Sequence, residues 1–341
     1  MKKVPSTIYD IAARLNVTPS TVSRALSDHP RISTKTKEAV RAMAAELNYQ
    51  QNKVAAALRS GKTKILGVVV PTIDRSFFSA LVRGIEQVAN SAGYNVMITQ
   101  SNDSETLEKS NIDALVRAQV DGVIASLARD TEDLQHFENL TQRNIPLILC
   151  DRVKSIPNAN TVVIDDFQGA YKAVEHLIEQ GCRRIAHLTG TQRLNIYKHR
   201  LEGYKAALQD HNIEYEKSLV IESKMQLEDG RLCMEQLLAL DPRPDAVFAS
   251  SDLSLAGAIQ VLNHHGLNIP KDLALVGFAN ELFPSLIDPQ LSSVNQYSEE
   301  MGQMAAKIFL DQIATGQKNF VPRQTVLMPK LLIRQSSSIK K

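Results

Sequence analysis

The spacing of apolar residues divides the chain into three segments, residues 1–50, 51–63 and 64–337. In the first segment, apolar side chains recur at helical intervals of three and four residues, which predicts three short amphipathic helices around one small core. The positions predicted to face that core are Ile8, Ile11, Ala12 and Leu15 in the first helix, Val22 and Leu26 in the second, and Val40, Met43 and Leu47 in the third.

Capping residues indicate where these helices begin. Thr7, with Asp10 three residues later, forms a capping-box pattern at the start of the first helix. Thr18 caps the second helix, whose first position is Pro19, where a missing N–H leaves no intrahelical bond unmade. The third helix begins at Ser33. Two short helices joined by a tight turn and supported by a third predict a helix-turn-helix unit.

The second helix has an unusual outer surface. In TPSTVSRAL (18–26), short hydroxyl side chains and one arginine, Arg24, stand where long charged residues are usual. A recognition helix enters the major groove of DNA by its N-terminal residues, and short side chains allow the backbone to approach and donate to phosphates. Arg24 could then donate to O6 and N7 of a guanine. The stretch therefore predicts contact with double-stranded DNA.

Residues 51–63 contain a short alanine-rich stretch, NKVAAAL (52–58), followed by the polar run RSGKTK. Seven residues are too few for a stable isolated helix in water. From its composition alone, this segment is a linker with some helical tendency.

From residue 64 onward, short apolar runs alternate with amphipathic helical stretches. This alternation predicts an α/β fold with parallel strands covered on both faces, and the number of strands favours two doubly wound lobes. The predicted strands are 64–71, 94–101, 121–128, 146–151, 161–166, 183–190, 245–252, 273–280 and 291–296, with a last strand-like run at 326–334. No heptad repeat follows that run, so a dimer is expected instead of a coiled-coil tetramer.

Charge is distributed unevenly between these segments. Residues 1–64 contain 12 Lys and Arg but only 4 Asp and Glu, whereas the remainder contains 27 and 33. A basic head on an acidic body suggests a polyanion-binding module joined to a unit of another kind. The three scattered cysteines suit a reducing compartment, and no apolar run is long enough to span a bilayer. We therefore expect a cytoplasmic protein with no membrane association.

Polar and aromatic residues follow the predicted strands at their carboxyl ends, where doubly wound sheets bind ligands. They include TIDRSFF (72–78), Ser126, Asp151 with Arg152, DDF (165–167), GTQRLN (190–195), SSD (250–252) and FAN (278–280). Hydroxyls, carboxylates and two phenylalanines would converge on a cleft between the lobes. Such a cleft suits a polar, ring-shaped small molecule.

No enzyme or metal motif is found in the chain. There is no P-loop, no G-x-G-x-x-G after a strand, no G-x-S-x-G and no H-E-x-x-H. His264 and His265 are adjacent on a predicted helix and diverge, while His176, Cys182 and His187 fit scaffold positions. We therefore expect no catalytic residues, no metal site and no cofactor.

The head closely resembles the DNA-binding head of the lactose-repressor/galactose-repressor (LacI/GalR) family. The resemblance runs without gaps from Thr7 to Thr63 and includes VTPSTVSRAL, ISTKT, LNY and N-x-x-A-x-x-L in family register. It implies base reading by Pro19, Ser20 and Arg24. The implied phosphate-contacting or positioning residues are Tyr9, Thr18, Thr21, Ser23, Ser33 and Tyr49.

The same resemblance gives residues 51–63 a sharper role as a hinge. Two such segments, one from each subunit, would fold against each other only on DNA, and Leu58 would enter the minor groove as a wedge. Small residues such as Ala55 would permit that close approach, and Arg59 would reach the DNA backbone. Asn52, Ala55 and Leu58 are the residues of the N-x-x-A-x-x-L motif.

The body resembles the periplasmic-binding-protein-like effector core of the same family, to about Arg334. The resemblance implies that lobe 1 comprises residues 64–163 and 296–325, and that lobe 2 comprises 164–295 and 326–337. The effector contacts it implies or the strand ends suggest are Phe77, Phe78, Ser126, Asp151, Arg152, Arg200, Met225, Asp252 and Asn280. For Asp151 and Asp252 a helix-capping role is the alternative, and for the phenylalanines a place in the core.

The chain departs from the family pattern at Ala279, where aspartate is common, and at Met225 and Ile196. These departures widen the expected effector from a free sugar to a modified sugar, a sugar acid or phosphate, or a nucleobase. The function expected is that of a sequence-specific repressor. It would bind a pseudo-palindromic operator as a homodimer, with an effector between the lobes modulating binding. A sugar-binding protein without DNA-dependent regulation is the alternative.

Overall fold

The computed structural model of the protein describes residues 6–49, 62–316 and 321–339. The chain forms two compact units, Met1–Thr63 and Lys64–Lys341. The first unit, the head, has its own small core, formed by Ile11, Ala12, Val22, Ala25, Val40 and Ala44. Every helix of the described head contributes to this core, as the apolar spacing predicts.

The head contains three helices: α1 (Ile8–Leu15), α2 (Pro19–Leu26) and α3 (Thr34–Glu46). At the start of α1, the Thr7 amide donates to the Asp10 carboxylate at 2.7 Å, as a capping-box sequence favours. At the start of α2, the Thr18 hydroxyl accepts the Thr21 N–H at 3.2 Å. Asn16 between these helices adopts the left-handed conformation (φ 51°), which permits the tight turn.

Lobe 1 of the second unit is built on a parallel six-stranded sheet in the order β11-β5-β4-β3-β1-β2. Alternating residues of β1 face opposite sides: Leu66 and Val68 lie in one apolar cluster and Val69 in another. Helices α4 and α11 cover one face, and α5 and α6 the other. The elements are β1 (Ile65–Val70), α4 (Ser76–Ser91), β2 (Asn95–Gln100), α5 (Glu105–Arg117), β3 (Gly122–Ala125), α6 (Gln135–Gln142), β4 (Leu147–Cys150), β5 (Asn160–Ile164), α11 (Ser298–Thr315) and β11 (Gln324–Leu327).

Lobe 2 repeats this plan with the strand order β12-β10-β9-β8-β6-β7, in which only the β10–β12 pairing is antiparallel among the described strands. Helices α7 and α8 pack on one face and α9 and α10 on the other. The elements are α7 (Asp166–Glu179), β6 (Ile185–Thr189), α8 (Asn195–Asp210), β7 (Val220–Glu222), α9 (Leu227–Leu238), β8 (Ala246–Ala249), α10 (Asp252–His264), β9 (Ala274–Ala279), β10 (Ser292–Asn295) and β12 (Lys330–Leu332).

The described chain crosses between the lobes after β5, after β10 and after β11. Strands β5 and β11 extend to Ile164 and Leu327, one and two residues beyond the bounds expected for lobe 1, because these two residues pair in register at the end of the sheet. The run 326–334, expected to be a single strand, is divided between β11 and β12, which lie in different sheets. Pro329, which has no N–H to donate to a ladder, stands between them.

Candidate functional site

The N-terminal turn of α2 carries a compact group of hydroxyl side chains. The Thr18 hydroxyl lies 2.8 Å from the hydroxyl of Ser20 and 2.9 Å from that of Thr21. Thr18 and Ser20 are exposed, whereas Pro19, Thr21 and Ser23 are half-buried. Hydroxyls and backbone N–H groups are thus presented at one helix N-terminus, an arrangement that favours an anion such as a phosphate.

The Arg24 side chain is exposed and makes no ion pair with any described residue. The ion pairs of the described head join Asp28 to Lys37 and Arg41, and Glu46 to Arg14. Tyr9, at 69 % exposure, and Ser33 also lie on the surface. Tyr49 is half-buried and packs against the head core. Of the residues predicted to contact DNA, Asn52, Ala55, Leu58 and Arg59 lie outside the described residues.

In the second unit, a cleft opens at the carboxyl ends of strands from both sheets. Its cavity volume is about 90 Å³. Strands β1 and β3, and likewise β6 and β8, are the neighbours at which the strand order of each sheet reverses. Ligands bind beside such switch points in doubly wound sheets. Five of the residues predicted for an effector line this cleft: Phe77, Phe78, Asp151, Arg152 and Arg200.

Arg200, on the first turns of α8, is 2 % exposed, and its guanidinium is held in place by other residues of lobe 2. Its Nε donates to Asp166 Oδ1 at 2.7 Å, and its Nη1 donates to the Ser250 carbonyl at 2.9 Å. The guanidinium lies 3.7 Å from the centre of the Phe278 ring, within cation–π distance. Burial raises the pKa of Asp166 to about 6, while Arg200 acts to lower it. These contacts fix the guanidinium plane at the lobe 2 wall of the cleft.

Asp151, directly after β4, stands on the lobe 1 wall in the left-handed conformation (φ 62°). Non-glycine residues adopt this conformation at some cost, and such residues cluster at functional sites. Its carboxyl group accepts no hydrogen bond from the described chain, and burial raises its pKa to about 6. Asn195 at the start of α8 holds the backbone here, donating to the Asp151 carbonyl at 3.0 Å and accepting the Val153 N–H at 2.9 Å.

One carboxylate serves two arginines on the lobe 1 wall. Asp103 accepts hydrogen bonds from the guanidinium groups of both Arg129 and Arg152. Although burial acts to raise the pKa of Asp103, the two guanidiniums hold it below its ordinary value. The Arg152 guanidinium also lies 5.7 Å from the centre of the Phe78 ring.

Arg75, just before α4, reaches across from lobe 1 to lobe 2. Its Nη2 lies 3.3 Å from the Met225 carbonyl and 3.2 Å from the Gln226 side-chain oxygen, to which it donates. Its Nη1 lies 3.7 Å from Glu281 Oε1, an ion-pair distance without a hydrogen bond. Together with Asn195, Arg75 therefore links the two lobes beside the cleft.

Four predicted effector residues do not line the cleft. The Met225 side chain is buried in the core of lobe 2, and Ser126 is buried at the end of β3. The fully buried Asp252 accepts the Ser293 hydroxyl at 2.7 Å and the Glu281 N–H at 2.9 Å, so it bonds to loop and strand residues of lobe 2 instead of capping its helix. Burial raises its pKa to about 7. The Asn280 side-chain oxygen accepts from Arg334 at 2.8 Å.

Several charged residues of the cleft were not predicted as effector contacts: Arg75, which lies within the stretch TIDRSFF, and Asp103, Arg129, Lys224 and Glu281. Three of them follow the carboxyl ends of β1, β2 and β3, a position that could have identified them. Glu281 likewise follows β9, directly after FAN (278–280), and Lys224 follows β7, a strand that the sequence patterns did not predict.

The histidines considered as metal ligands have other partners. His187 stacks on the Tyr204 and Phe248 rings, with centroids 5.0 and 4.8 Å away, and burial lowers its pKa to about 3. His176 bonds the Ser337 hydroxyl at 2.8 Å. Within residues 6–49, 62–316 and 321–339, no group of three or more His, Cys, Asp or Glu side chains could hold a metal ion. No helix in that part of the chain is long and apolar enough to cross a membrane.

Comparison with protein-family models gives two matches. The model described as bacterial regulatory proteins, lacI family, matches residues 7–52, and the model described as periplasmic binding protein-like domain matches residues 174–337. Catabolite control protein A of Priestia megaterium is 32 % identical over 333 residues, covering 97 % of this chain and 99 % of the relative. The ribose operon repressor of Haemophilus influenzae is 32 % identical over 332 residues, covering 97 % and 98 %.

Among solved structures, the Lac repressor dimer bound to operator and the anti-inducer ONPF is similar to this chain with a TM-score of 0.86. Sequence identity is 26 %, and the alignment covers 98 % of this chain and 99 % of that one. The likeness therefore extends over the head and both lobes.

Proposed function

This chain belongs to the LacI family of bacterial regulatory proteins, and we propose that it represses transcription by binding a pseudo-palindromic DNA operator as a homodimer under the control of a small molecule. It is a DNA-binding regulator and not an enzyme. A regulator of this kind acts where the DNA is, so we place it in the cytoplasm.

The head supplies the contacts to DNA in this proposal. Helix α2 enters the major groove, and Arg24 donates both terminal nitrogens to a guanine, since the described head offers this side chain no carboxylate partner. Thr18, Ser20 and Thr21 hold the helix N-terminus against the phosphates. Residues 51–63 act as the hinge, with Leu58 in the minor groove.

The observation that carries the effector half of the proposal is that Asp151 and Arg200 stand on opposite lobes of one cleft. A carboxylate without a protein donor and a guanidinium fixed in place are the groups that bind the hydroxyls of a carbohydrate-like ligand. A ligand held by both lobes favours one lobe arrangement over another by its difference in affinity for the two. We propose that this difference is transmitted through the hinge to operator affinity.

The first experiment is a selection of DNA by the full-length protein from a pool of random duplexes, followed by sequencing. We expect two inverted half-sites, with centres one or more helical turns apart, because a two-fold symmetric dimer presents two recognition helices. Sedimentation of the unbound protein checks the dimer. A selection that enriches no motif, either without ligand or with a compound that stabilises the protein, would contradict DNA-dependent regulation and favour a plain ligand-binding protein.

The effector is sought by thermal unfolding in the presence of monosaccharides, sugar acids, sugar phosphates and purines. A ligand at about 100 times its dissociation constant stabilises the folded state by about 2.7 kcal/mol. A compound that stabilises the protein is then added to the selected DNA complex. An unchanged operator affinity with the bound compound would contradict the effector mechanism.

A further inference from the structure

The positively charged groups that line the interlobe cleft outnumber the carboxylates. Five cations border it (Arg75, Arg129, Arg152, Arg200 and Lys224) against three carboxylates (Asp103, Asp151 and Glu281). Asp166, behind the wall, compensates Arg200 at 2.7 Å. With Asp166 included, five cations stand against four carboxylates, so the excess is one positive charge and it lies away from Arg200.

The lobe 1 wall has more guanidinium groups than carboxylates to receive them. Arg129 and Arg152 both donate to Asp103, so one negative charge serves two positive charges. Arg152 is nine-tenths buried, and its Nε has no hydrogen-bond partner among the described residues. A buried guanidinium N–H without an acceptor is costly, and a ligand oxygen in the cleft would satisfy it.

Lys224 on lobe 2 and Arg75 on lobe 1 add cationic groups without a close carboxylate, although Arg75 donates to the Met225 carbonyl and to Gln226. Lys224 is exposed and makes no ion pair within the described chain. Arg75 approaches the Glu281 carboxylate only to 3.7 Å. Arg129 and Lys224 also border an adjoining surface depression, so they stand at the open side of the cleft, and the other charged residues of that depression are the carboxylates Asp130, Glu222 and Asp229.

Asp151 and Arg200 are deeper, at 5 % and 2 % exposure. The cleft thus has a buried part that offers both an acceptor and a donor, suited to hydroxyl groups. The outer part of the cleft carries the Arg129 guanidinium and the Lys224 ammonium group, which can bind carboxylates and phosphates through charge-assisted hydrogen bonds.

We propose that the ligand of this cleft is a hydroxylated molecule carrying one anionic group, a carboxylate or a phosphate, with its hydroxyls on Asp151 and Arg200 and its anion among Arg129, Arg152 and Lys224. The proposal rests on the proposed function, since it names the class of effector that the same cleft takes.

The test measures the affinity of the full-length protein by titration calorimetry for matched sets of probes. One set contains glucose, glucuronate, gluconate and glucose 6-phosphate. The other set contains ribose and ribose 5-phosphate. Inorganic phosphate is titrated separately. We expect an anionic member of a set to bind about 10- to 100-fold more tightly than its neutral counterpart, as one charge-assisted contact supplies. Comparison of the uronate with the phosphate identifies which anion is preferred.

Lys224→Gln is the diagnostic variant, because it removes a cleft charge without breaking an ion pair within the described chain. It should reduce the preference for the anionic probe about tenfold and leave affinity for the neutral sugar within about twofold. The matched control is Lys198→Gln, an exposed lysine of α8 that does not line the cleft and carries the same charge. The control should leave both affinities unchanged.

Neutral sugars that bind as tightly as their anionic counterparts, or a set in which no anionic probe binds, would overturn the proposal. So would an equal effect of the two lysine substitutions. None of these outcomes bears on operator recognition, because the selection of DNA measures it separately. Failure of that selection would instead contradict the proposed function.

Discussion

Two buried aspartates at the cleft differ in what holds them. Asp166 accepts the Arg200 Nε–H at 2.7 Å, whereas the Asp151 carboxyl accepts no hydrogen bond from the described residues. Burial raises the pKa of both to about 6. The buried Asp151 carboxylate therefore lowers the stability of the folded protein, as expected of a residue that serves ligand binding.

Asp151→Asn should stabilise the ligand-free protein at pH 7.5 by about 1–3 kcal/mol, since it removes a buried charge without breaking a protein hydrogen bond. Asparagine also tolerates the left-handed backbone. Because the folded state binds this proton more tightly than the unfolded state between pH 3.8 and about 6, stability from Asp151 is lost as the pH rises through this window. The gain in the variant should therefore vanish near pH 4, which urea unfolding at several pH values checks.

Asp166→Ala is the paired control and should have the opposite effect. It leaves the buried Arg200 guanidinium without its carboxylate, and breaking such a pair typically costs about 3–5 kcal/mol. A stabilised Asp166→Ala protein, or a gain in Asp151→Asn that does not depend on pH, would contradict the different roles given to these two residues.

Arg24→Ala should weaken binding to the selected operator by about 1–3 kcal/mol and leave binding to unrelated duplex nearly unchanged. The physical reason is that a guanidinium bound to a base edge distinguishes sequences, whereas a phosphate contact does not. Fluorescence anisotropy on both duplexes measures the two losses. Arg14→Ala, which removes an arginine paired to Glu46 at 3.0 Å, is the control and should affect both DNAs equally and little. Equal losses with Arg24→Ala would make Arg24 a phosphate contact.

At the scale of elements, the closest helix contact of lobe 1 joins α4 and α11 through two glycines. A Cβ at Gly84 would lie 2.0 Å from the Glu299 carbonyl oxygen, and a Cβ at Gly302 would lie 2.0 Å from that of Leu81. Backbone, not a flexible side chain, stands in the way in both cases. The helices can therefore approach this closely only because both positions lack a side chain.

Gly84→Ala should destabilise the protein by about 1–3 kcal/mol or more, although alanine has the higher helix propensity, because the two helices must move apart. Ser79→Ala on the same helix is the control, since Ser79 is exposed and its hydroxyl bonds only the Ser76 carbonyl. Urea unfolding of both variants provides the comparison. A Gly84→Ala protein as stable as the parent would mean that α4 can shift without loss of packing.

Sequence patterns identified most elements but not all. Strand β7 escaped prediction because it has three residues and lies at the edge of its sheet, too short to display a period. The run at 326–334 has a single apolar pattern, but its two halves join different sheets. Pairing of Leu327 with Ile164 and of Leu331 with Val294 assigns its halves to different lobes, and such long-range pairing leaves no local signal.

At the scale of the whole molecule, charge separates the two units. The net charge of +8 on residues 1–64 is offset by −6 on the rest. Operator affinity should therefore fall steeply with salt, because each phosphate contact of the head releases a counterion. With about six phosphate contacts for a dimer, the loss between 50 and 200 mM salt should be about 10³-fold. Anisotropy titrations at four salt concentrations measure the slope. A flat dependence would contradict DNA binding by the head.

The sequence by itself determined the three-helix head, its caps and the predicted fold class, which the family matches confirm. These features depend on residues a few positions apart, such as Thr18 and Thr21, whose hydrogen bonds form within one turn. It also indicated that residues lining the cleft follow the strand ends, since parallel strands bring their carboxyl ends to one edge.

Only the tertiary structure decided which of those residues meet. Arg75 reaches Gln226 and Glu281 from more than 150 residues away, and Asp103 is shared by Arg129 and Arg152. Asp252, placed at a strand end like Asp151, is instead enclosed by Ser293 and the Glu281 N–H. Asp151 and Asp252 are both aspartates, and both follow the carboxyl end of a strand. The elements that pack against each aspartate determine whether its carboxylate faces the cleft or the core. Which elements these are cannot be read from the order of residues in the chain.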